Sequence, residues 1–390
     1  MKYIKYLFFL VKIIIAYILA KFMLLNKKYS DVWLFSERSD EAEDNSFFLF
    51  KYVRENYFDE NVYYLIDFTC NDYYKVKRYG NLINYNSFKH YVFYFLAKKH
   101  ISAFQFFGVP DNPLIWKLES WGFFKKKRIF LQHGITKAML PFLTYEETKY
   151  NLFICGAEPE YQYIKNHFGY PEQNIKYLGF CRFDNLHESC TKKQILIMPT
   201  WRQWIGMTSK RSISLEDKEK FIGTEYFQKY QSLLNNIQLI EFLKREKIQL
   251  LFYPHPEMQK YIDLFESNSS YIEIIDRCNS NLQNLLKECL LFVTDYSSIA
   301  FDRAYLKKPL IYYQFDQEKY YQNHFKKGFF DEEANGFGPV IKEENDLINS
   351  IIEIYEKGEV NNTYINRIVD FFPLYDKNNC ERNYEAIKRV

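Results

Sequence analysis

Residues Leu290–Tyr313 read LLFVTDYSSIAFDRAYLKKPLIYY. An apolar run, Leu290–Thr294, ends on the polar loop Asp295-Tyr296-Ser297-Ser298. A helical stretch, Ser297–Leu306, follows, and then a second apolar run, Pro309–Tyr313. Strand, short loop, helix and strand make the unit of a parallel sheet, because parallel neighbours need a crossover that lies on a face of the sheet. Ser297 and Ser298 stand where a helix begins and can cap it. The free N–H groups and positive dipole end of such a helix also suit a phosphate. Thr294 and Asp295 stand at the same strand end, and Asp302 falls on the first turns of the helix, where it can face the same cleft.

The same alternation extends outward. Strands are expected at Val32–Ser36, Val62–Ile66, Ile101–Gln105, Arg128–Gln132, Asn151–Cys155 and Lys176–Gly179. A second series is expected at Gln194–Met198, Gln249–Tyr253, Tyr271–Ile275, Leu290–Thr294 and Pro309–Tyr313. Helical stretches lie between them at Ser46–Tyr57, Phe88–Lys99, Glu158–Phe168, Tyr226–Arg245, Asn281–Glu288 and Ser297–Leu306. Two α/β series imply two parallel sheets covered on both faces. The polar segment Asp184–Lys193 is the expected linker, Gln203–Gly223 reads as a charged surface loop, and helices follow from Asp346. The chain is thus expected to divide into residues 1–28, 29–185, 190–375 and a C-terminal helix at 376–390 that packs back on the body.

The 390 residues suffice for two domains, and 47% hydrophobic with 26% charged residues describes a globular chain. A net charge of +3 excludes a nucleic-acid protein as far as bulk charge can. The seven cysteines (Cys70, Cys155, Cys181, Cys190, Cys278, Cys289 and Cys380) are scattered, with no C-x-x-C pair. That spacing argues against a disulfide framework or a structural zinc site and for a reducing, cytoplasmic setting.

Tyr3–Leu25 is apolar apart from Lys5, Lys12 and Lys21. A membrane span needs about 20 apolar residues, and a central lysine opposes it. Lys5 and Lys12 share a helix face, and Lys21 sits nearly opposite. A monotopic or re-entrant helix with snorkelling lysines, a true span and a buried core helix all fit this pattern; the first two place the chain at a membrane surface. No small-residue cleavage motif follows, so a secretory signal is not expected.

In open parallel sheets, ligands bind at the carboxyl ends of strands. Three further strand ends carry unusual residues. Arg128–Gln132 runs into His133-Gly134-Ile135-Thr136-Lys137, where a glycine frees the backbone to turn and a histidine can take a proton near neutral pH. Ile195–Met198 runs into Pro199-Thr200-Trp201-Arg202, whose arginine can hold a phosphate bidentately. Leu250–Tyr253 runs into Pro254-His255-Pro256, where two prolines hold His255 in place. Each has a plainer explanation: a histidine bonded in a turn, a salt bridge, a rigid turn, and simple N-capping by the serines. The sequence has no G-x-x-x-x-G-K-[ST], G-x-G-x-x-G or G-x-S-x-G, and no D-x-D pair to hold a divalent cation. Phosphate charge would then fall to Arg, Lys, Ser and a helix terminus, with no metal and no cofactor expected.

Together these elements resemble the CDP-glycerol glycerophosphotransferase family of teichoic-acid and capsule primases and polymerases. The resemblance runs from about Phe130 to Arg382. It rests on His133–Lys137, on Gly179-Phe180-Cys181-Arg182-Phe183-Asp184, on Pro199–Arg202, on His255-Pro256 and on Thr294–Asp302 followed by Lys308-Pro309. Phe315-Asp316, Gly328-Phe329, Gly338-Pro339 and Arg382 complete it. The family's first element usually carries a proline where this chain has Ile135 or Thr136, a departure that bears on the shape of that loop.

The resemblance implies a GT-B-like α/β fold, with two Rossmann-like domains facing across a cleft and an N-terminal membrane-associating helix. It implies transfer of glycerol phosphate or another polyol phosphate from CDP-glycerol or CDP-ribitol to a lipid-linked primer or growing polymer. The reaction releases CMP, at the cytoplasmic face of the cell membrane. His133 would be the general base, and His255 would bind or protonate the departing phosphate. Ser297, Ser298, Thr200, Thr294 and Asp295 would hold the donor phosphates, with Arg182 or Arg202 adding charge. Asp302 would bind a donor hydroxyl or orient a neighbour, and Gly134, Lys137 and Pro256 would support the histidines. No nucleic-acid partner is expected; a homo-oligomer is possible. A GT-B glycosyltransferase using a nucleotide sugar, and a non-catalytic envelope-assembly protein, are the rival classes. A phosphodiester product separates transfer of a polyol phosphate from transfer of a sugar.

Overall fold

The computed structural model describes residues 2–124, 126–187, 190–205, 213–277, 281–323, 327–358 and 360–390, without the side chains of 2–5. Cys278 and residues 206–212 of the expected charged loop lie outside the described residues, as do 188 and 189 of the expected linker. Two compact units share the chain. The first comprises Met1–Ile135, Leu140–Asn185 and Leu374–Val390; the second comprises Thr136–Met139 and Leu186–Pro373.

The first unit is built on a seven-stranded sheet: β1 (Trp33–Ser36), β2 (Val62–Ile66), β3 (Leu82–Asn84), β4 (Lys99–Ser102), β5 (Lys127–Phe130), β6 (Leu152–Cys155) and β7 (Ile175–Tyr177). Its order is β3-β2-β1-β4-β5-β6-β7, and every pairing is parallel. The period of two along each strand serves both faces. Trp33 and Phe35 join one core cluster with Tyr64 and Ile66, while Val32 and Leu34 join another with Leu65. The order reverses between β1 and β4, and that switch point leaves a crevice at the carboxyl ends.

The second unit has a six-stranded parallel sheet: β8 (Gln194–Ile197), β9 (Gln249–Phe252), β10 (Ile272–Ile274), β11 (Leu291–Thr294), β12 (Leu310–Tyr313) and β13 (Val340–Ile341). The order is β10-β9-β8-β11-β12-β13, with its switch point between β8 and β11. Ile195, Ile197, Leu291, Val293, Ile311 and Tyr313 pack one face against the helices Glu225–Leu234, Ile237–Glu246 and Glu344–Lys357.

The structure differs from the sequence reading in three places. The edge strands β3 and β13 are three and two residues long, too short to show an alternation. The expected helix Tyr226–Arg245 is two helices, broken where Asn236 turns extended and its side chain accepts from the Leu239 amide. Part of the expected loop 203–223 is the helix Leu215–Ile222, started by a reciprocal Ser214–Asp217 capping box. The last helix, Asn379–Lys388, packs in the first unit, where the Tyr384 ring stacks on Tyr57 at 4.0 Å.

That last helix explains the Gly179–Asp184 segment. Asp184 accepts from the Asn379 and Cys380 amides at 2.9 and 2.8 Å and from the Asn379 side chain at 2.7 Å. Arg382 donates to the Leu178 carbonyl and to both oxygens of Asp376. Gly179 has a φ of +78°, and a Cβ there would lie 1.8 Å from the Asn379 side-chain oxygen. Gly179→Ala is therefore expected to lower stability by about 2–4 kcal/mol, left-handed strain adding to the displaced Asn379. Urea unfolding followed by tryptophan fluorescence checks this; a loss below about 0.5 kcal/mol would count against the latch.

Among the described side chains of the N-terminal helix Lys2–Met23, Ile13, Ala16 and Ala20 are fully seated in the core, against the helix Phe88–Leu96. Most of its other large apolar side chains, among them Leu7, Phe8, Ile15 and Phe22, are exposed, which removes the reading as a buried core helix. Lys12, in the middle of the apolar stretch, lies 3.8 Å from the centre of the Tyr91 ring and donates to the Asn86 carbonyl.

Candidate functional site

In the first unit, the carboxyl ends of the adjacent strands β1, β4 and β5 carry Arg38, Phe104 and His133. The His133 ring lies parallel to Phe104, centroids 4.8 Å apart and planes 10° apart, and the Arg38 guanidinium sits 5.0 Å from the same Phe104 ring. The chain reaches His133 through Gln132, whose φ of +58° is left-handed. That conformation is strained for any residue with a Cβ, and such strain gathers at functional sites. The sharp turn assigned to Gly134 is thus made two positions earlier, by Gln132. The Gln132 side chain holds it there, donating to the Ile154 carbonyl at 2.7 Å and to Glu160 at 3.1 Å.

Burial pushes the His133 pKa down, to about 4; the Arg182 and Arg38 charges act in the same direction, and a hydrogen bond to the Ala103 carbonyl opposes them. The side chain keeps an exposed face, and water there offsets part of the burial effect, while the two guanidinium groups act in the same direction. One ring nitrogen is therefore held protonated by the carbonyl. The other presents a lone pair at neutral pH, the form a general base needs.

Arg182 does not offer its charge freely. It is buried, its guanidinium is paired with Asp44 at 3.0 Å, and its amide donates to Asn45. Asn45 in turn donates to the Leu131 and Gln132 carbonyls, on the segment leading to His133. Arg182 is a brace for the histidine loop that also supplies positive potential. Lys137 falls in the second unit, ion-paired with Glu332. Gly328 admits this segment: a Cβ there would lie 2.1 Å from the Lys137 carbonyl oxygen.

In the second unit, the ends of β8, β9 and β11 converge. The His255 amide donates to the Pro199 carbonyl at 3.3 Å, and the His255 ring lies 6.4 Å from Trp201. His255 Nδ1 accepts from the Glu257 amide at 3.2 Å, so the neutral ring carries its proton on Nε2 and is a donor there. Pro256 starts the 3-10 turn Pro256–Leu264 that supplies this amide. Ser297 and Ser298 are half-exposed at the end of β11. Ser297 Oγ accepts weakly from the Ile299 amide at 3.4 Å, and the Ser298 hydroxyl makes no capping bond. The Thr200 hydroxyl is buried without a partner.

Three expected phosphate ligands have another task. Arg202 is fully buried, bonded to Asp316 through Nε at 2.6 Å and Nη2 at 3.1 Å, to Asp295 at 2.9 Å, and to the Thr200 carbonyl at 2.7 Å. Burial works against the charge, but Asp295 and Asp316 outweigh it and hold the guanidinium protonated. Asp295 accepts from the Thr200 and Tyr296 amides, and the Thr294 hydroxyl donates to the Met198 carbonyl. An arginine and an aspartate so enclosed cannot reach a ligand; with Thr294 they clamp the loops after β8, β11 and β12. Asp302 is buried in the helix Ile299–Tyr305. Among the described residues, no three His, Cys, Asp or Glu side chains are grouped to hold a metal ion.

The residues missed from sequence are Arg38, Phe104 and Gln132, while Asp316 was marked by the resemblance without a role. The strand-end rule applies to β1, β4 and β12 as to the others, but their ends carry no histidine or serine pair to mark them.

Over 370 residues the chain is 38% identical to the minor teichoic acid biosynthesis protein GgaB of Bacillus subtilis strain 168, covering 94% of this chain and 40% of GgaB. Over 195 residues it is 28% identical to the teichoic acid glycerol-phosphate primase of the same strain, covering 47% of this chain and 44% of the primase. The solved wall teichoic acid polymerase TagF matches with a TM-score of 0.65 at 17% identity, covering 97% of each chain, which establishes the GT-B-like fold of two parallel-sheet units. The chain therefore spans less than half the length of either of these curated relatives. The family model for CDP-glycerol:poly(glycerophosphate) glycerophosphotransferase matches residues 16–389, and the chain belongs to that family.

Proposed function

We propose that the chain transfers glycerol phosphate from CDP-glycerol to a hydroxyl of a lipid-linked primer or growing teichoic-acid or capsular polymer, with release of CMP. The observation that carries this reading is a histidine at the carboxyl edge of each sheet, in a chain whose family is described by glycerophosphate transfer. The acceptor oxygen attacks the distal phosphorus of the donor, the bond to CMP breaks, and His133 takes the hydroxyl proton. His255, through Nε2–H, and the Thr200, Ser297 and Ser298 hydroxyls neutralise the donor phosphates by hydrogen bonding. A CDP-ribitol donor is the alternative that the same phosphate-binding groups would serve.

The N-terminal helix favours work at a membrane surface, on the cytoplasmic face. Tyr6–Met23 is long and apolar enough to cross a bilayer. Its seat on the helix Phe88–Leu96 instead favours an in-plane position, with its lysines reaching the headgroups. The neighbouring helix Pro113–Ser120 and the residues after it add exposed Trp116, Trp121 and Phe123, residue types that prefer the membrane interface.

The test is CMP release by the full chain with a lipid-linked acceptor in anionic vesicles, comparing CDP-glycerol, CDP-ribitol and UDP-sugars. Acceptor-dependent CMP from a CDP-polyol is the expected result. UDP release with silence from both CDP-polyols would overturn the reading in favour of sugar transfer.

A further inference from the structure

We propose that Arg38 is an acceptor-binding residue: its guanidinium, held on the Phe104 ring beside His133, takes a phosphodiester oxygen of the acceptor and presents the neighbouring hydroxyl to the histidine. This rests on the transferase reading for its reaction, but the anion site itself stands on geometry.

Phe104 is a shared platform, with Arg38 at 5.0 Å and His133 at 4.8 Å from its centroid. A guanidinium lying on an aromatic ring keeps its edge N–H groups free to grip a phosphate. Of the two arginines whose charge reaches His133, Arg182 is committed to Asp44 and buried. Arg38 is the available one: its side chain is 48% exposed, and its ion pair is a single contact to Glu41 at 3.2 Å. The Glu41 side chain is 14% exposed, but the contact is single and the guanidinium half-exposed, so the pair is worth little and exchanges for a phosphate.

The acidic residues of the same loop are largely engaged elsewhere. Glu37 accepts from the Glu43, Asp44 and Phe47 amides, and burial together with the Asp44 charge pushes it up to about 8. Burial likewise raises Glu43. Asp44 faces Arg182, and the exposed Asp40 projects to solvent. The arrangement also links binding to chemistry. A phosphate on Arg38 removes a positive charge from beside His133 and makes it a stronger base only once acceptor is present.

The test titrates the His133 imidazole by NMR in the full chain, with and without glycerophosphoglycerol, a soluble glycerol phosphodiester. His133→Gln identifies the resonance. In the wild type the probe is expected to raise the titration midpoint. In Arg38→Gln the midpoint should start higher, because a neighbouring cation is gone, and should no longer respond. An equal response in both proteins would overturn the proposal, whatever the outcome of the CMP assay. If the wild type turns over, Arg38→Ala should raise the acceptor KM by about 10- to 100-fold, as loss of a charged hydrogen bond does, and leave the donor KM in place. Arg38→Lys should recover part of that loss. Equal changes in both KM values would mean a general structural role and would also overturn it.

Discussion

His133→Ala is expected to lower turnover by about 10²- to 10⁴-fold, the range for loss of a general base, with no change in the urea midpoint. The ring contributes little to the core: it stacks on Phe104 and keeps an exposed face. The wild-type acid limb of kcat/KM should lie below neutrality, because burial, Arg182 and Arg38 hold the ring below the ordinary histidine range in the free protein. The sign follows from the base role. Below that pH the lone pair is protonated and the rate falls; above it the rate is flat through neutrality. His133→Ala should lose the limb along with the rate. CMP release against pH, with binding of CDP-glycerol measured in parallel by calorimetry, provides the check. Turnover within about threefold of wild type would remove His133 from the chemistry.

Arg202→Met is expected to destabilise the second unit by about 3–5 kcal/mol, because it strands two carboxylates that, among the described residues, pair with no other cation. Asp295 and Asp316 are almost fully buried beside it. The rings of Tyr226, Tyr296 and Tyr320 surround the guanidinium at 5.0–5.3 Å, so little water can reach the uncovered charges. Adding Asp316→Leu should restore part of the loss by removing one of those charges. Urea unfolding distinguishes the structural role from a phosphate-binding one. A stable Arg202→Met protein that simply fails to bind CDP-glycerol would return the arginine to the donor site.

The contrast between the two residues shows what a sequence carries. Both stand just past a strand, and both strands are visible as short apolar runs bounded by polar residues. The locations of His133 and His255 could therefore be read directly, because the ends of parallel strands are set by local pattern. The partner of Arg202 lies 114 residues away in sequence, and burial of the pair depends on tyrosines from three other segments. Residue type alone cannot tell an arginine that grips a ligand from one that grips its own fold. The same holds for Thr294 and Asp295, whose hydrogen bonds run to Met198 and Thr200 across the switch point. Arg38 escaped for the opposite reason: nothing local marks it, and its significance comes from sharing Phe104 with a histidine two strands away. A capping residue alone did not make a helix end legible: Ser214 starts a helix inside the expected surface loop. The Asn235-Asn236 break was hidden because the apolar pattern continues through it.

The first unit is discontinuous along the chain, since Leu374–Val390 completes it. Ribosomal synthesis runs from the amino end, so the seat that Trp33 and Tyr57 offer to Tyr384 stands empty while all of Leu186–Pro373 is being made. At typical elongation speeds that interval is roughly 10–40 s, long compared with the folding of the second unit's own helices and strands. Throughout it, Gly179 and Asp184 have no Asn379 to engage. The first unit therefore stays open until the residues of the second have been made, and the contacts that close it join segments far apart in sequence.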